Sequence, residues 1–481
     1  MTADPRFIVV GGGITGLSAA HRLLELATQS GRRAEVILIE ATQRIGGVFG
    51  TRHIGDYVIE TGADSFITDR PWALNLCRRL GLESRLISID PHCRRAYIVH
   101  RGRPVRTPEG FNLLAPSRLW PVLTTPLLSP LGKLRLLGEY FVRPRDMDGD
   151  EDLASFTRRR FGKQVLERIV QPMVSGIYTS DPEKLSLAAT LPRFIEMERR
   201  HGSLIRAMRL RQREQRTTNG DSSGARYGLF ASLAGGMSEL LDALTERVRA
   251  QGRIWMDHAV TAVEMSDPDA SSVRVTLSDG TVQHADGVVL ALPAYRTADL
   301  IDSWAEDLAE ELRGIEYASS AIVVTGHRLE DVAHPLDAAG MVVPHAERRN
   351  ILAVSFLSRK FAGRAPTGRV VLRTFVGGAM QPELLEQEDA ALAEIVLAEL
   401  RELLGVRGHP DFIEVVRYHR AMPQYHVGHL ERVDRIEQRA ANYPRLALAG
   451  NACRGVGLPD CIHSGEVAAE KVWRGTVRVT E

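Results

Sequence analysis

Two hydrophobic patterns alternate at the start of the chain. Arg6 to Val10 is a run of β-branched and aromatic residues ending in glycines, which predicts a buried parallel strand. From Ile14 to Ser30 the apolar positions fall at helical spacing, with Leu17, Ala20, Leu23, Leu24 and Ala27 on one face. Glu35 to Ile39 is a second apolar run, so the unit reads as a β–α–β crossover of roughly thirty residues. Between Pro104 and Ile205 the texture changes to Leu- and Arg-rich segments punctuated by prolines, which predicts a mainly helical region. Arg211 to Arg226 has almost nothing to bury and reads as a loop or linker.

Strand patterns return after Gly228. Val273 to Leu277 and Thr281 to Ala285 flank Asp279-Gly280 as a hairpin, and Gly287 to Leu292 is another buried strand. Segments 320–326, 340–344, 350–357 and 369–376 predict further strands, mainly antiparallel, the last ending in Gly377-Gly378. Glu383 to Leu404 reads as a long amphipathic helix, Leu446 to Ala449 as a short strand and Gly465 to Trp473 as a closing helix. Strand–helix segments at both ends, separated by other material, predict an α/β fold. Its Rossmann-type domain is discontinuous (1–87, 232–296 and 433–481), beside a mixed-sheet substrate domain (88–108, 200–231 and 297–432) and a helical subdomain (109–199).

A length of 481 residues agrees with two or three domains. Sixty-one Lys plus Arg against 60 Asp plus Glu gives a net charge of +1, which removes the broad basic field of a nucleic-acid binder. Four cysteines are too few and too scattered for a disulfide scaffold or a zinc ribbon, and they fit a reducing cytoplasm. No basic stretch with a cleavage site precedes the first strand, so no secretory signal is read. The longest uncharged apolar stretch, Leu119 to Gly132, is broken by Pro121, Pro126 and Pro130 and is too short to span a bilayer. The expectation is a soluble cytoplasmic protein, or at most one attached to a membrane surface.

Gly11-Gly12-Gly13-Ile14-Thr15-Gly16 satisfies G-x-G-x-x-G after a strand and at the opening of a helix. Gly11 permits the tight turn, Gly13 lets backbone approach a pyrophosphate, and Gly16 lets helix pack close to strand. The helix N-terminus offers its unpaired N–H groups to the phosphates. Glu40, at the end of the second strand, is placed to accept ribose hydroxyls. A glycine-rich turn without a ligand is the bland alternative. Glu40-Ala41-Thr42-Gln43-Arg44-Ile45-Gly46-Gly47 then resembles the E-x-x-x-R-x-G-G extension of FAD enzymes related to amine oxidases and phytoene desaturases. Arg44 would add a cation beside the pyrophosphate, and Val48 follows on the same face. FAD is therefore preferred to NAD. Leu448-Ala449-Gly450-Asn451 followed by Gly455-Val456-Gly457-Leu458 resembles the segment that lies under the isoalloxazine in that superfamily, where backbone N–H groups can stabilise negative charge. An ordinary strand-to-helix turn is the alternative.

Along nearly its whole length the chain resembles the oxygen-dependent protoporphyrinogen/coproporphyrinogen oxidase family. The resemblance is carried by Glu60-Thr61-Gly62-Ala63-Asp64-Ser65-Phe66, by 171–178 continuing into 181–186, and by 201–206, 235–237 and 363–366. To these are added Pro423-Gln424-Tyr425 with 427–432, and 454–461. The resemblance implies oxidation of a porphyrinogen to a porphyrin at FAD, with O2 reoxidising the flavin and leaving as H2O2, in haem biosynthesis. Such chemistry needs orientation of a flat substrate and no protein nucleophile. In agreement, the sequence has no G-x-S-x-G, no H-E-x-x-H and no clustered Cys/His set, so neither a catalytic side chain nor a metal is assigned. The scattered histidines read as surface or structural.

The resemblance implies Gly62, Ala63, Asp64, Ser65 and Val260 as further cofactor-binding residues. Arg94 matches a propionate-binding Arg, with Arg95 as the alternative by one register, and Phe375 and Val342 match apolar walls. Gly176 matches a backbone position close to the substrate. Arg70 falls where coproporphyrinogen-type relatives have a basic residue, while a solvated loop charge is equally consistent. Departures from the family pattern are Ala63 for a common Pro, Ser180 for a common Gly and Tyr418 for a common Trp.

Leu113 to Leu137 reads either as a membrane-docking surface or as the packed interior of a helical subdomain. The arginines from Arg206 to Arg216 read as a solvated helix end, a substrate route or a lipid contact. A homodimer and hand-off to a ferrochelatase are expectations from the family. Competing readings are another FAD oxidase or desaturase of the amine-oxidase superfamily, a non-catalytic flavin or tetrapyrrole carrier, and an NAD-binding regulatory module.

Overall fold

The computed structural model describes residues 4–145, 149–218, 229–265 and 272–477. Five parallel strands form one sheet in the order Arg253–Trp255, Glu35–Ile39, Arg6–Val10, Gly287–Leu290, Leu446–Leu448. Both faces are covered, as a parallel sheet requires. Alternate side chains therefore enter different cores. Phe7, Val9, Val36 and Leu38 pack with the helices Ile14–Gln29, Ser238–Gln251 and Leu458–Val477. Ile8, Val10, Ile37 and Ile39 pack with the three-stranded layer Val260–Glu264, Val273–Leu277 and Val282–Ala285 and with the helices Ala294–Ile301 and Glu306–Arg313.

A seven-stranded mixed sheet has the order Phe412–Pro423, Tyr317–Arg328, Arg369–Gly377, Ala353–Ser355, Gly340–Val342, Ala96–His100, Arg103–Arg106. Only the Gly340–Val342 and Ala96–His100 pair in it is parallel. One face carries Tyr97, Val323, Met341, Val354, Leu372 and Val376 against Leu392, Val396 and Leu400 of the helix Asp389–Leu404. Period-two alternation then places Ile98, Val342, Ala353, Arg373, Phe375 and Ile322 on the opposite face.

Three expectations are corrected. The predicted helix Glu383–Leu404 divides into a short 3-10 turn, Pro382–Glu386, and the helix Asp389–Leu404, whose N-cap is Glu388. The first part of the expected linker 211–226 is helical: Leu204–Thr218 is one helix, anchored by buried Leu204, Ile205 and Met208 and continued by strong helix formers. Residues 219–226 lie outside the described residues. The strand Phe412–Pro423 had no counterpart in the sequence reading.

In the remaining helical layer the stretch Leu113 to Leu137 has both a packed and an exposed apolar side. Leu114, Val122, Leu127, Leu128 and Leu136 are buried, whereas Trp120, Leu131 and Leu134, together with nearby Phe141, are exposed. No helix among the described residues is long and apolar enough to cross a membrane. In the same layer a π-helical turn, Leu166–Val170, leads into the helix Gln171–Tyr178 that carries Gly176. Such turns are frequent at functional sites.

Candidate active site

The glycine motif divides into positions required by packing and one that faces open space. Gly11 has φ +106°, and a Cβ there or on Gly16 would collide with the carbonyl oxygen of Ala291 or Gly11 respectively. Gly13 is different: a Cβ on it would meet no atom within 4 Å. It is also the N-cap of the helix Ile14–Gln29, with extended backbone and no side-chain cap. The first-turn N–H groups therefore point at an uncapped, open site, the form an anion needs. These residues fit a dinucleotide pyrophosphate. Gly47 adjoins the same space, its Cβ direction lying 3.5 Å from Gly13 Cα.

Two sequence assignments change in emphasis. Glu40 supports the loop: Oε2 accepts from Gly12 N–H at 2.7 Å, and Oε1 from the Thr42 N–H and hydroxyl at 2.9 and 2.8 Å. An ionised carboxylate has about four acceptor sites, which leaves room for a ribose hydroxyl. Arg44 donates to the carbonyls of Ile45, Gly47 and Phe49, so it shapes the Gly46-Gly47 turn. Ala41 and Val48 are exposed at the mouth of this loop. Backbone bonds from Asp257 and His258 to Thr42 and Glu40 bring Val260's strand alongside.

The segment Gly62-Ala63-Asp64-Ser65 lies against the second face of the mixed sheet. Arg373 donates to the Gly62 carbonyl and, at 2.9 Å, to Asp64 Oδ2, which also accepts from Lys360 Nζ at 2.8 Å. These cations hold the Asp64 carboxyl well below the usual carboxylate range, against the upward push of burial. Ser65 donates to Asp64 Oδ1. A Cβ on Gly62 would collide with the Val48 carbonyl, so the segment packs tightly on the nucleotide loop. Tyr418 closes one edge by donating to Thr61 O at 2.5 Å.

Phe375 is half-buried on this face, in register with Ala353, which is itself in register with Val342. Gly176 approaches the same wall, its Cβ direction ending 3.7 Å from Val342 Cγ1. The structure thus gathers Phe375, Val342 and Gly176. Arg94 and Arg95 precede the strand Ala96–His100 and are both exposed. Arg95 faces Glu109 at 3.5 Å, while Arg94 has no acidic partner among the described residues. Arg70 pairs with Asp460 and lies 5.7 Å from the Trp72 ring, and both charges act on Tyr178 of the helix that carries Gly176.

The C-terminal turn is held by a residue whose role the sequence did not reveal. Buried Tyr425 donates to Asn451 O at 2.6 Å and accepts from Gly455 N–H at 2.9 Å. Its ring stacks on His429 at 3.9 Å, and His429 Nε2 lies 2.9 Å from Cys453 O. Burial pushes the His429 imidazole down to about 4, so it is neutral at pH 7. Val456 and Gly457 lead from this turn into Leu458, the start of the last helix. That helix packs against Thr15: a Cβ on Gly465 would strike the Thr15 carbonyl.

The profile of the family "Flavin containing amine oxidoreductase" matches residues 14–473. A curated protein from Propionibacterium freudenreichii, named coproporphyrinogen III oxidase, is 35% identical over 97% of this chain and 90% of its own. The chain belongs to the flavin-containing amine oxidoreductases, in their protoporphyrinogen/coproporphyrinogen oxidase branch. The Bacillus subtilis coproporphyrinogen III oxidase is 30% identical, covering 96% of each chain. A crystal structure described as a protoporphyrinogen oxidase from Exiguobacterium sp. 255-15 superposes with a TM-score of 0.84 at 29% identity, covering 98% of this chain and 99% of that one. The family assignment makes FAD the cofactor of this flavoprotein. Lys360 and Arg373, which hold the 62–65 segment, and Tyr425, which holds the 451–455 turn, were not singled out by the sequence reading.

Proposed function

We propose that this enzyme oxidises a porphyrinogen to the porphyrin at FAD, with O2 as oxidant and H2O2 as by-product, and that coproporphyrinogen III is its substrate. The observation that carries the reading is the apolar wall of Phe375 and Val342, continuous with Gly176, on the sheet face that clasps the Gly62–Ser65 segment. A flat tetrapyrrole fits between an apolar wall and a flavin. Bound FAD supplies two-electron oxidation, so the chain's own residues need only bind, orient and exclude water. The choice of coproporphyrinogen III follows the names of the two curated relatives. The domain division read from the sequence and a cytoplasmic location belong to the same proposal.

Porphyrin fluorescence followed in air with each porphyrinogen separately, after subtraction of autoxidation, tests the reading. Faster turnover of coproporphyrinogen III is expected. A preference for protoporphyrinogen IX would overturn the substrate choice, and oxidation of neither by flavin-loaded protein would overturn the activity.

Arg94 is the proposed propionate anchor because its neighbour Arg95 is engaged with Glu109. A hydrogen bond to a charged group contributes about 1.5–3 kcal/mol. Arg94→Ala is therefore expected to raise KM roughly ten- to a hundredfold with flavin content unchanged. An equal result from Arg95→Ala, with Arg94→Ala silent, would move the anchor by one residue.

A further inference from the structure

Asp64 is one carboxylate facing two cations. Its side chain is 11% exposed, that of Arg373 2% and that of Lys360 12%. Oδ2 accepts from both cations, and Ser355 Oγ lies 3.3 Å from the same oxygen. Immediately behind, fully buried Arg364 and Glu60 approach to 3.4 Å. Arg364 donates otherwise to the carbonyls of Leu233 and Ala234 and to Ser232 Oγ. Three cations thus meet two carboxylates. The neighbouring charges do not restore the balance: Arg52 pairs with Glu414, Arg85 pairs with Glu239, and Arg44 donates only to carbonyls. Burial pushes the Glu60 carboxyl up, against the pull of Arg364.

A clasp between two segments needs one ion pair. A second buried cation on the same carboxylate carries a desolvation cost of several kcal/mol, and Arg373 Nε has no partner at all. That cost is incurred beside the Gly62–Ser65 segment, with the Arg373 guanidinium 5.4 Å from the Phe375 ring. Buried charge acts strongly on charge that appears nearby.

We propose that Lys360 and Arg373 are positioning residues of the flavin site, whose surplus positive charge favours the negatively charged reduced flavin over the neutral oxidised form. The inference rests on FAD occupying the site described above. It deepens that reading by naming side chains that set the flavin's redox poise without touching the porphyrinogen's reacting carbon.

The test measures the flavin midpoint potential of the purified holoprotein, anaerobically, against reference dyes, for wild type, Lys360→Met and Lys360→Arg. Lys360→Met is expected to shift the reduction equilibrium at least tenfold toward oxidised flavin, about 30 mV for a two-electron couple. Lys360→Arg is expected to restore most of the shift, and Arg373→Gln, the second variant should Lys360→Met not fold, to move it in the same direction. Flavin-loaded variants with the wild-type potential would overturn the inference while leaving the cofactor reading intact. Loss of flavin on Lys360→Met, with an unshifted potential in Arg373→Gln, would make the cluster a mechanical clasp and overturn it too. Wild-type protein that carries no flavin would overturn both.

Discussion

Gly13→Leu is expected to give a folded protein that purifies colourless. The expectation comes from the contrast within the glycine motif. Gly13 has φ −72° and ψ 176°, a conformation open to any L-residue, and a Cβ there would touch nothing within 4 Å. The folded state should therefore tolerate the substitution to within about 0.5 kcal/mol, as at an ordinary surface position. The added side chain would nevertheless fill the space before the uncapped N-terminus of Ile14–Gln29, where the pyrophosphate would meet backbone N–H groups. Flavin per protein, read from the visible absorbance, should fall more than tenfold, and oxidase activity with it. Gly16→Ala is the companion: its Cβ would collide with the Gly11 carbonyl inside the helix–strand contact, so it should lower the thermal midpoint as well as flavin content. A Gly13→Leu protein with wild-type flavin content would show that no phosphate lies there.

The contrast also shows why some of the site was legible and some was not. The glycine loop and first crossover could be read because their determinants are local: a strand, a turn and a helix within forty residues, with period-two and 3.6-residue patterns intact. The strand Phe412–Pro423 escaped because its residues are mostly half-buried and it ends one edge of its sheet. Arg417, His419 and Arg420 interrupt its alternation, and the register slips between Ala318 and Ser320 on the neighbouring strand. The cluster around Asp64 was invisible for a different reason. Lys360 and Arg373 are 296 and 309 residues away in sequence, and they are brought to one place by the pairing of Ser355 with Arg373 and the packing of Leu357–Lys360 on the Arg373 strand. Tyr425 lay inside a recognised stretch, yet its two hydrogen bonds to the 451–455 turn depend on the tertiary fold. Arg70 pairs with Asp460, 390 residues away in sequence, a contact that spacing could not foresee.

The largest loss of stability is expected from Arg160→Met. Arg160 is fully buried and joins four parts of the helical layer. It pairs with fully buried Glu139 and, at 3.1 Å, with Glu198, and it donates to the carbonyls of Val142 and Gly202 at 3.0 and 2.8 Å. Glu139 in turn accepts from Ser203 Oγ at 2.5 Å and Leu204 N–H at 2.8 Å, which fixes the start of the helix Leu204–Thr218. Methionine replaces much of the apolar stem but leaves the Glu139 carboxylate without a cation and two carbonyls without their donor, while Glu198 keeps Arg159 at 2.6 Å. Breaking a buried ion pair by removing one partner costs about 3–5 kcal/mol, enough to threaten a fold of ordinary marginal stability. Thermal or urea unfolding of the flavin-loaded enzyme should show the loss. The double variant Arg160→Met/Glu139→Leu should recover part of it, because no unpaired Glu139 charge then remains buried. An additive double variant would mean that the pair is not coupled, and that packing alone holds this layer against the substrate wall.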